Sequence, residues 1–251
     1  MSLLLPSVQI ALTPDRVAVS SGKTYRESVV ASPGWTGSLK TLANMLKELP
    51  LKGRASVVLS HHFGHIHLLP PPPVLLKPAE MQGWIREYLS RLLGEPGMNL
   101  QVAWQTVPPG KPILASSLSL PAMTEIVDVI KQAGFKPVTI QPWFVVSWNR
   151  VHRQFGNQRG WYALIEPGRL ILTNVMRGEI RSLRGMMVQD GPVAALSDLI
   201  KREILLTEET TPSSIWVDSI MLRADWRALE GGLVVHPLTS GSDSLAPMLG
   251  T

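Results

Sequence analysis

Four of the six histidines in this 251-residue chain, His61, His62, His65 and His67, fall within seven residues, and they are the one grouping whose residue types suit a metal ion. On a continuous strand His61, His65 and His67 share a face with apolar Phe63, and no Asp or Glu occurs between Glu48 and Glu80 to complete or orient a site. The three are therefore weak metal candidates, and the preferred reading is of partly exposed strand and loop histidines. Nucleophilic catalysis has less support: Ser116, Ser117 and Ser119 lie in a strand-like run without an adjacent acid–base pair, and no G-x-S-x-G elbow occurs. Lys23 follows Gly22, but the glycine that opens a phosphate loop is missing upstream. With no cysteine, disulfides, thiolate zinc sites, iron–sulfur clusters and cysteine nucleophiles are excluded together. No catalytic residue is assigned, and a metal-dependent enzyme using the His61 to His67 cluster ranks last among the readings.

The arginines form the second chemical grouping. Residues 1–149 hold 13 basic and 8 acidic groups, residues 150–184 hold 7 and 2, and residues 185–251 hold 4 and 9, for a formal net charge of +5. Arg150, Arg153, Arg159, Arg169, Arg177, Arg181 and Arg184 can meet phosphates, lipid headgroups or the acidic last quarter of the same chain. Internal pairing is preferred. No nucleic acid is expected as a partner, and an anionic membrane surface is the polyanion kept in view.

Composition sets the frame for these groups. At 45% hydrophobic and 17% charged, the chain is neither disordered, collagen-like nor a coiled coil. Pro, Lys, Arg or Asp interrupts every apolar run short of the ~20 residues that cross a bilayer. The amino terminus lacks a basic region and a small-residue cleavage site, so a cytoplasmic location is expected. Eight tryptophans against four phenylalanines mostly fall on the expected buried faces of helices and strands. Trp35, in Ser32-Pro33-Gly34-Trp35, is either an interface anchor or a side chain that folds back.

The elements that position these residues follow from periodicity and turn chemistry. Alternation predicts strands Val8–Leu12, Arg16–Ser20 and Tyr25–Ala31, joined by Thr13-Pro14-Asp15 and Ser21-Gly22-Lys23. Apolar residues three and four apart predict a helix over Ser38–Leu49, followed by a buried strand Ala55–Leu59. A strand near His65–Leu69, a proline run, a helix Pro78–Leu93 and a hairpin of Leu100–Val107 with Ile113–Leu118 come next. A helix from Pro121 capped by Gly134, a strand Pro137–Gln141 and a helix Trp143–Phe155 lead to the polar turn Gly156–Gly160. The opening order then returns as strands Trp161–Ile165, Arg169–Val175 and Glu179–Arg184. A helix Val193–Leu205, a strand Ser214–Val217, a helical turn around Ala224–Leu229 and a strand Leu233–Val235 complete it. The order βββαβαβ thus occurs twice, in 1–155 and 156–238, with an insertion at about 61–118 and a loose tail 239–251.

A duplicated unit of this order resembles the actin-like, RNase H-like superfamily. Local resemblance to PilM-like and GspL-like proteins, actin-fold components of type IV pilus and type II secretion machinery, is carried by V-V-L-S-H-H-F-G-H-I-H-L-L-P at 57–70. Two further runs carry it: Q-P-W-F-V-V-S-W-N-R at 141–150 and W-Y-A-L-I-E-P-G-R-L-I-L-T-N-V-M-R-G-E-I at 161–180. The resemblance implies an α/β, duplicated RNase H-like fold with an inserted α+β subdomain in the first half. In that superfamily each half opens with a hairpin whose Asp- and Gly-bearing turn brings N–H groups to phosphates and a carboxylate to the metal ion. Here the first turn, Leu12-Thr13-Pro14-Asp15, has a proline without an N–H and no glycine. The second, Glu166-Pro167-Gly168 with Thr173 five residues on, resembles a remnant phosphate loop, which makes Glu166, Gly168 and Thr173 the candidate cofactor-binding residues. The expected adenosine loop is replaced by Ile215-Trp216-Val217-Asp218-Ser219, and Gly231-Gly232 comes too late. The resemblance therefore implies a cytoplasmic scaffold without ATP hydrolysis, peripheral at the inner membrane, that binds a peptide of an inner-membrane protein through residues 61–118. An ATPase using ATP with magnesium is the alternative.

Overall fold

Alternation of Val8, Ile10 and Leu12, each wholly buried, makes Ser7–Leu12 (β1) a strand with one face in the core. It opens a computed structural model that describes residues 7–22, 24–49, 53–94, 96–189, 191–206, 212–221, 229, 233–239 and 244–250. Arg16–Ser21 (β2) and Thr24–Val29 (β3) complete the meander, and Trp35–Lys47 (α1) and Arg54–Leu59 (β4) follow. The insertion comprises His65–Leu69 (β5), Pro78–Leu93 (α2), Leu100–Trp104 (β6) and Ile113–Ser119 (β7). Ser119 ends β7 and also caps Leu120–Gln132 (α3), its Oγ accepting from the Ala122 N–H at 3.3 Å. Lys136–Pro142 (β8) closes this half.

The first-half sheet runs β3-β2-β1-β4-β8, with β1, β4 and β8 parallel and the meander antiparallel. Helices α1 and α3 cover one face, where Leu39, Leu42 and Leu46 meet Ile126 and Ile130 over Ile10 and Val57. The insertion forms its own antiparallel sheet, β5-β7-β6. Leu69, Leu100, Val102, Ile113 and Ala115 from one face of it pack with Ile85 and Leu89 of α2. Leu118, on the opposite face of β7, joins the main core, so the insertion is mounted on α3 rather than tethered loosely.

The chain divides into compact units at Trp143/Phe144, earlier than the Gly156–Gly160 turn suggested. The cause is the aromatic face of Trp143–Phe155 (α4). Phe144 and Trp148 sit 5.7 and 5.6 Å from Tyr162, and Phe155 sits 4.3 Å from Trp216, ring centroid to ring centroid. Both partners belong to the second-half strands. These are Arg159–Glu166 (β9), Arg169–Met176 (β10), Glu179–Met187 (β11), Ser214–Ser219 (β12) and Val234–Pro237 (β13), in the order β11-β10-β9-β12-β13. Pro192–Leu206 (α5) covers the other face through Leu196, Leu199 and Ile200. The first-half strand order is therefore repeated, with β9, β12 and β13 parallel.

The tail, expected to be loose, instead carries Ala246–Leu249 (α6), with Leu245, Met248 and Leu249 buried, since these apolar side chains gain more by packing than the short segment loses in freedom. Of the helical turn expected around Ala224–Leu229 only Leu229 is described, in the second-half core. Lys23, Trp226 and Gly231-Gly232 lie outside the described residues.

The arginine segment pairs within its own half. Arg150 meets Asp218 at 3.4 Å, Arg181 meets Glu179 at 3.3 Å and Arg184 meets Glu203 at 2.9 Å. Glu203 is 1% exposed and also accepts from Ser182 Oγ at 3.1 Å. Arg184 is half exposed, so water screens part of the pair. Arg184→Met should cost about 1 kcal/mol of second-half stability, read from the urea unfolding midpoint.

Candidate functional site

The turn between β1 and β2 is closed on itself. The Thr13 N–H donates to the Arg16 carbonyl at 3.0 Å, the Arg16 N–H donates to Thr13 Oγ1 at 3.0 Å, and Pro14 has no N–H. Thr13 Oγ1 donates to Asp15 Oδ1 at 2.7 Å, while Arg16 Nε lies 3.6 Å from Oδ2. The carbonyls are taken as well: Thr13 O by Ser38 Oγ at 2.8 Å, Pro14 O by the Gly34 N–H at 2.8 Å, and Asp15 O by the Val30 N–H at 2.7 Å. A phosphate arriving here would have to displace hydrogen bonds already made within the turn.

In the second half, Glu166 pairs with Arg169 across a two-residue turn in which Pro167 leads and Gly168 adopts φ 77°. Only glycine takes that conformation at no steric cost, so the Pro-Gly pair accounts for the turn. Glu166 is 3% exposed. Thr173 stands opposite Tyr162 in mid-strand, wholly buried, with its Oγ1 meeting no hydrogen-bond partner among the described residues. From the Glu166–Arg169 pair to the Tyr162–Thr173 pair is four strand positions, about 13 Å. The structure thus keeps Glu166 and Gly168 together and separates Thr173 from them. The strand expected over Arg169–Val175 is β10, which begins at Arg169 and carries Thr173 away from the turn.

A polar group that the sequence reading did not assemble lies beneath α4. Tyr162 Oη donates to Ser147 Oγ at 2.7 Å, and Ser147 Oγ donates to Asp218 Oδ2. Burial raises the Asp218 carboxyl above its ordinary value, against the opposing pull of the Ser147 hydrogen bond and the Arg150 charge. Burial, and then the Asp218 charge, push Tyr162 well up. The available signal was the single carboxylate in the otherwise apolar run Ile215-Trp216-Val217-Asp218.

In the insertion, the histidines do not share one strand. Ser60–Gly64 is a turn, with the Phe63 and Gly64 N–H groups both donating to Ser60 O at 3.0 Å, and it takes buried His61 off the face of β5. His65 and His67 remain on that face, opposite Ser117 and Ala115, with ring centroids 6.2 Å apart. Burial, then the neighbouring His65, lowers the His67 pKa to about 4. Among the described residues no group of three His, Asp or Glu is placed to hold a metal ion. Trp35 folds back: its Nε1 donates to Glu125 Oε2 at 2.6 Å and its ring meets Phe63 edge-on at 5.0 Å.

The insertion also holds a cavity of about 800 Å³ between the proline-rich strap 72–76, the start of α2 and the β6–β7 hairpin. Its walls are largely apolar, with Leu76, Met81, Val102, Trp104 and Ile113 among them. Val74 and Leu75 on the strap are 63% and 80% exposed. A volume of this size suits a ligand or a few side chains of a partner.

No family model matches the chain, and no curated protein matches it. Solved structures do. The chain is similar to the cytoplasmic domain of EpsL, an inner membrane component of the type II secretion system of Vibrio cholerae, with a TM-score of 0.60 at 13% identity over 98% of this chain and 93% of that one. It is similar to a structure of the PilM–PilN type IV pilus biogenesis complex, with a TM-score of 0.66 at 12% identity over 94% and 88%. A protein of unknown function from Bacteroides thetaiotaomicron, described as having an actin-like ATPase fold, gives 0.66 at 10% identity over 98% and 95%. The chain has the actin-like ATPase fold.

The duplicated βββαβαβ order and its inserted α+β subdomain are thereby those of the actin-like fold. Within it, the closed Thr13–Arg16 turn and the Pro167-Gly168 turn occupy the two hairpin positions that the sequence resemblance assigned to phosphate, and Asp218 stands in the strand expected to lead into an adenosine loop. No helix among the described residues is long and apolar enough to cross a membrane.

Proposed function

We propose that the protein is a non-catalytic, actin-like scaffold at the cytoplasmic face of the inner membrane, binding a peptide of an inner-membrane protein in a pilus or secretion-type assembly. The observation that carries it is the closed turn between β1 and β2. The hairpin that should receive a phosphate spends the N–H groups of Thr13 and Arg16 internally and has proline between them, leaving only the Asp15 N–H of the turn without a bond among the described residues. The separation of Thr173 from Glu166 and Gly168 adds to it, as does the buried Asp218 side chain. The likeness to the EpsL domain and to the PilM–PilN complex supports the kind of assembly, and the apolar cavity of the inserted subdomain supports a peptide as the ligand. Exposed arginines such as Arg153 and Arg177 are the groups that would meet an anionic membrane surface.

ATP with magnesium is the ligand that would overturn the non-catalytic reading. At 100 times its dissociation constant a ligand adds about 2.7 kcal/mol to stability, which a thermal unfolding midpoint registers as several degrees. We expect no shift with saturating ATP and magnesium. A rise that is lost in Glu166→Ala would establish a nucleotide site at the second-half turn.

A further inference from the structure

Among the described residues strand β6 is an edge, paired with β7 on one side only. On that side the Gln105 N–H donates to Leu114 O at 2.9 Å. In an antiparallel ladder the hydrogen-bonded positions alternate, so Gln101 and Ala103 also turn their backbone groups toward β7, and Leu100, Val102 and Trp104 turn theirs away. The Leu100 carbonyl agrees with this phase, since it accepts from Arg86 Nε on α2 at 3.1 Å. The outward backbone groups of Val102 and Trp104 meet no hydrogen-bond partner among the described residues, Val102 being 4% exposed and Trp104 half-buried, so a segment pairing here must first displace what covers Val102. Both residues line the cavity, their side chains on the α2 face of the sheet. The strap opposite is rich in proline, which offers no N–H to complete the edge.

An apolar cavity alone does not identify its occupant. Outward donors and acceptors two residues apart along an unpaired strand edge do, because only another extended backbone repeats them at that spacing. We propose that the inserted subdomain binds its partner by strand addition, with an extended polypeptide segment pairing along β6. Residues of the segment opposite Val102 and Trp104 point, like them, toward α2, so every second side chain enters the cavity and should be apolar. Val74 and Leu75 close over the segment from the strap. This inference rests on the peptide-binding reading and adds its geometry.

The probe is a library of random linear peptides of about a dozen residues, displayed on phage, selected on the full chain and then synthesised. Enriched peptides should carry apolar residues at alternate positions. Methylating the amide nitrogens that face β6 should each weaken binding about tenfold or more, while methylating those between should change it little. Trp104→Pro removes an outward N–H without touching the β6–β7 ladder and should abolish binding, whereas Trp104→Phe should retain it. The methylated peptides test the pairing on the unaltered protein, so a misfolded proline variant does not decide the matter. Binding indifferent to backbone methylation, or to Trp104→Pro in a folded protein, overturns strand addition and leaves peptide binding standing. Failure to enrich any peptide overturns both.

Discussion

Gly37→Ala should lower the stability of the first half by roughly 3 kcal/mol, in a helix where propensity alone would credit the alanine with about 1 kcal/mol of gain. The added methyl would fall within van der Waals contact of the Ser32 carbonyl oxygen and 2.9 Å from Val30 Cγ1. A flexible side chain can swing aside, but a backbone carbonyl cannot without moving the loop. The start of α1 has no freedom to retreat either. Buried Ser38 Oγ lies 2.8 Å from both Thr13 O and Gly34 O and shares its one proton between them, and Trp35 is held by Glu125 and Phe63. Relief of the clash therefore breaks bonds that keep the Thr13–Arg16 turn closed. Urea unfolding of Gly37→Ala beside the parent protein measures the loss, and an unchanged or raised midpoint would mean that α1 shifts freely.

Acidification from pH 7 to pH 4.5 should destabilise the inserted subdomain by on the order of 2 kcal/mol through His67. Its folded pKa is about 4, below the ordinary 6.5, so the fold holds the ring neutral. The unfolded chain takes up the proton first as pH falls. The stability His67 contributes is thus complete above the unfolded value and is lost on the way down to the folded one. Asp218 acts with the opposite sign in the other half. Its raised carboxyl pKa favours the fold at low pH, and that contribution disappears as pH rises through the folded value. Hydrogen exchange resolved by strand separates the two: protection in β5 and β7 should fall with acid, and His67→Leu should flatten that slope. A slope unchanged in the variant would assign it to other groups.

The sequence by itself determined the elements and their order. Apolar spacing and Pro or Gly punctuation placed α2 at Pro78–Leu93 and α4 at Trp143–Phe155, and turn chemistry placed Thr13-Pro14-Asp15 and Glu166-Pro167-Gly168. Each of these depends on side-chain and backbone geometry within a few residues, which a local pattern records. Pro14 likewise announced a poor phosphate turn, because a missing N–H is a property of the residue type.

Tertiary structure decided what those elements bring together. Ser147 and Asp218 lie 71 residues apart in sequence, and no spacing rule links them; α4 packing on the second-half sheet does. The same packing moved the unit boundary to Trp143/Phe144. His61 left the histidine face because Ser60 accepts two backbone N–H groups and bends the chain, and Trp35 became a packing residue because Glu125 and Phe63 arrive beside it. The open edge of β6 exists only because β7 lies between it and β5, an order set by burying one face of the small sheet under α2 and the other against the main core. Contacts of this kind are selected by burial over the whole fold, and a reading confined to neighbouring residues has no access to them.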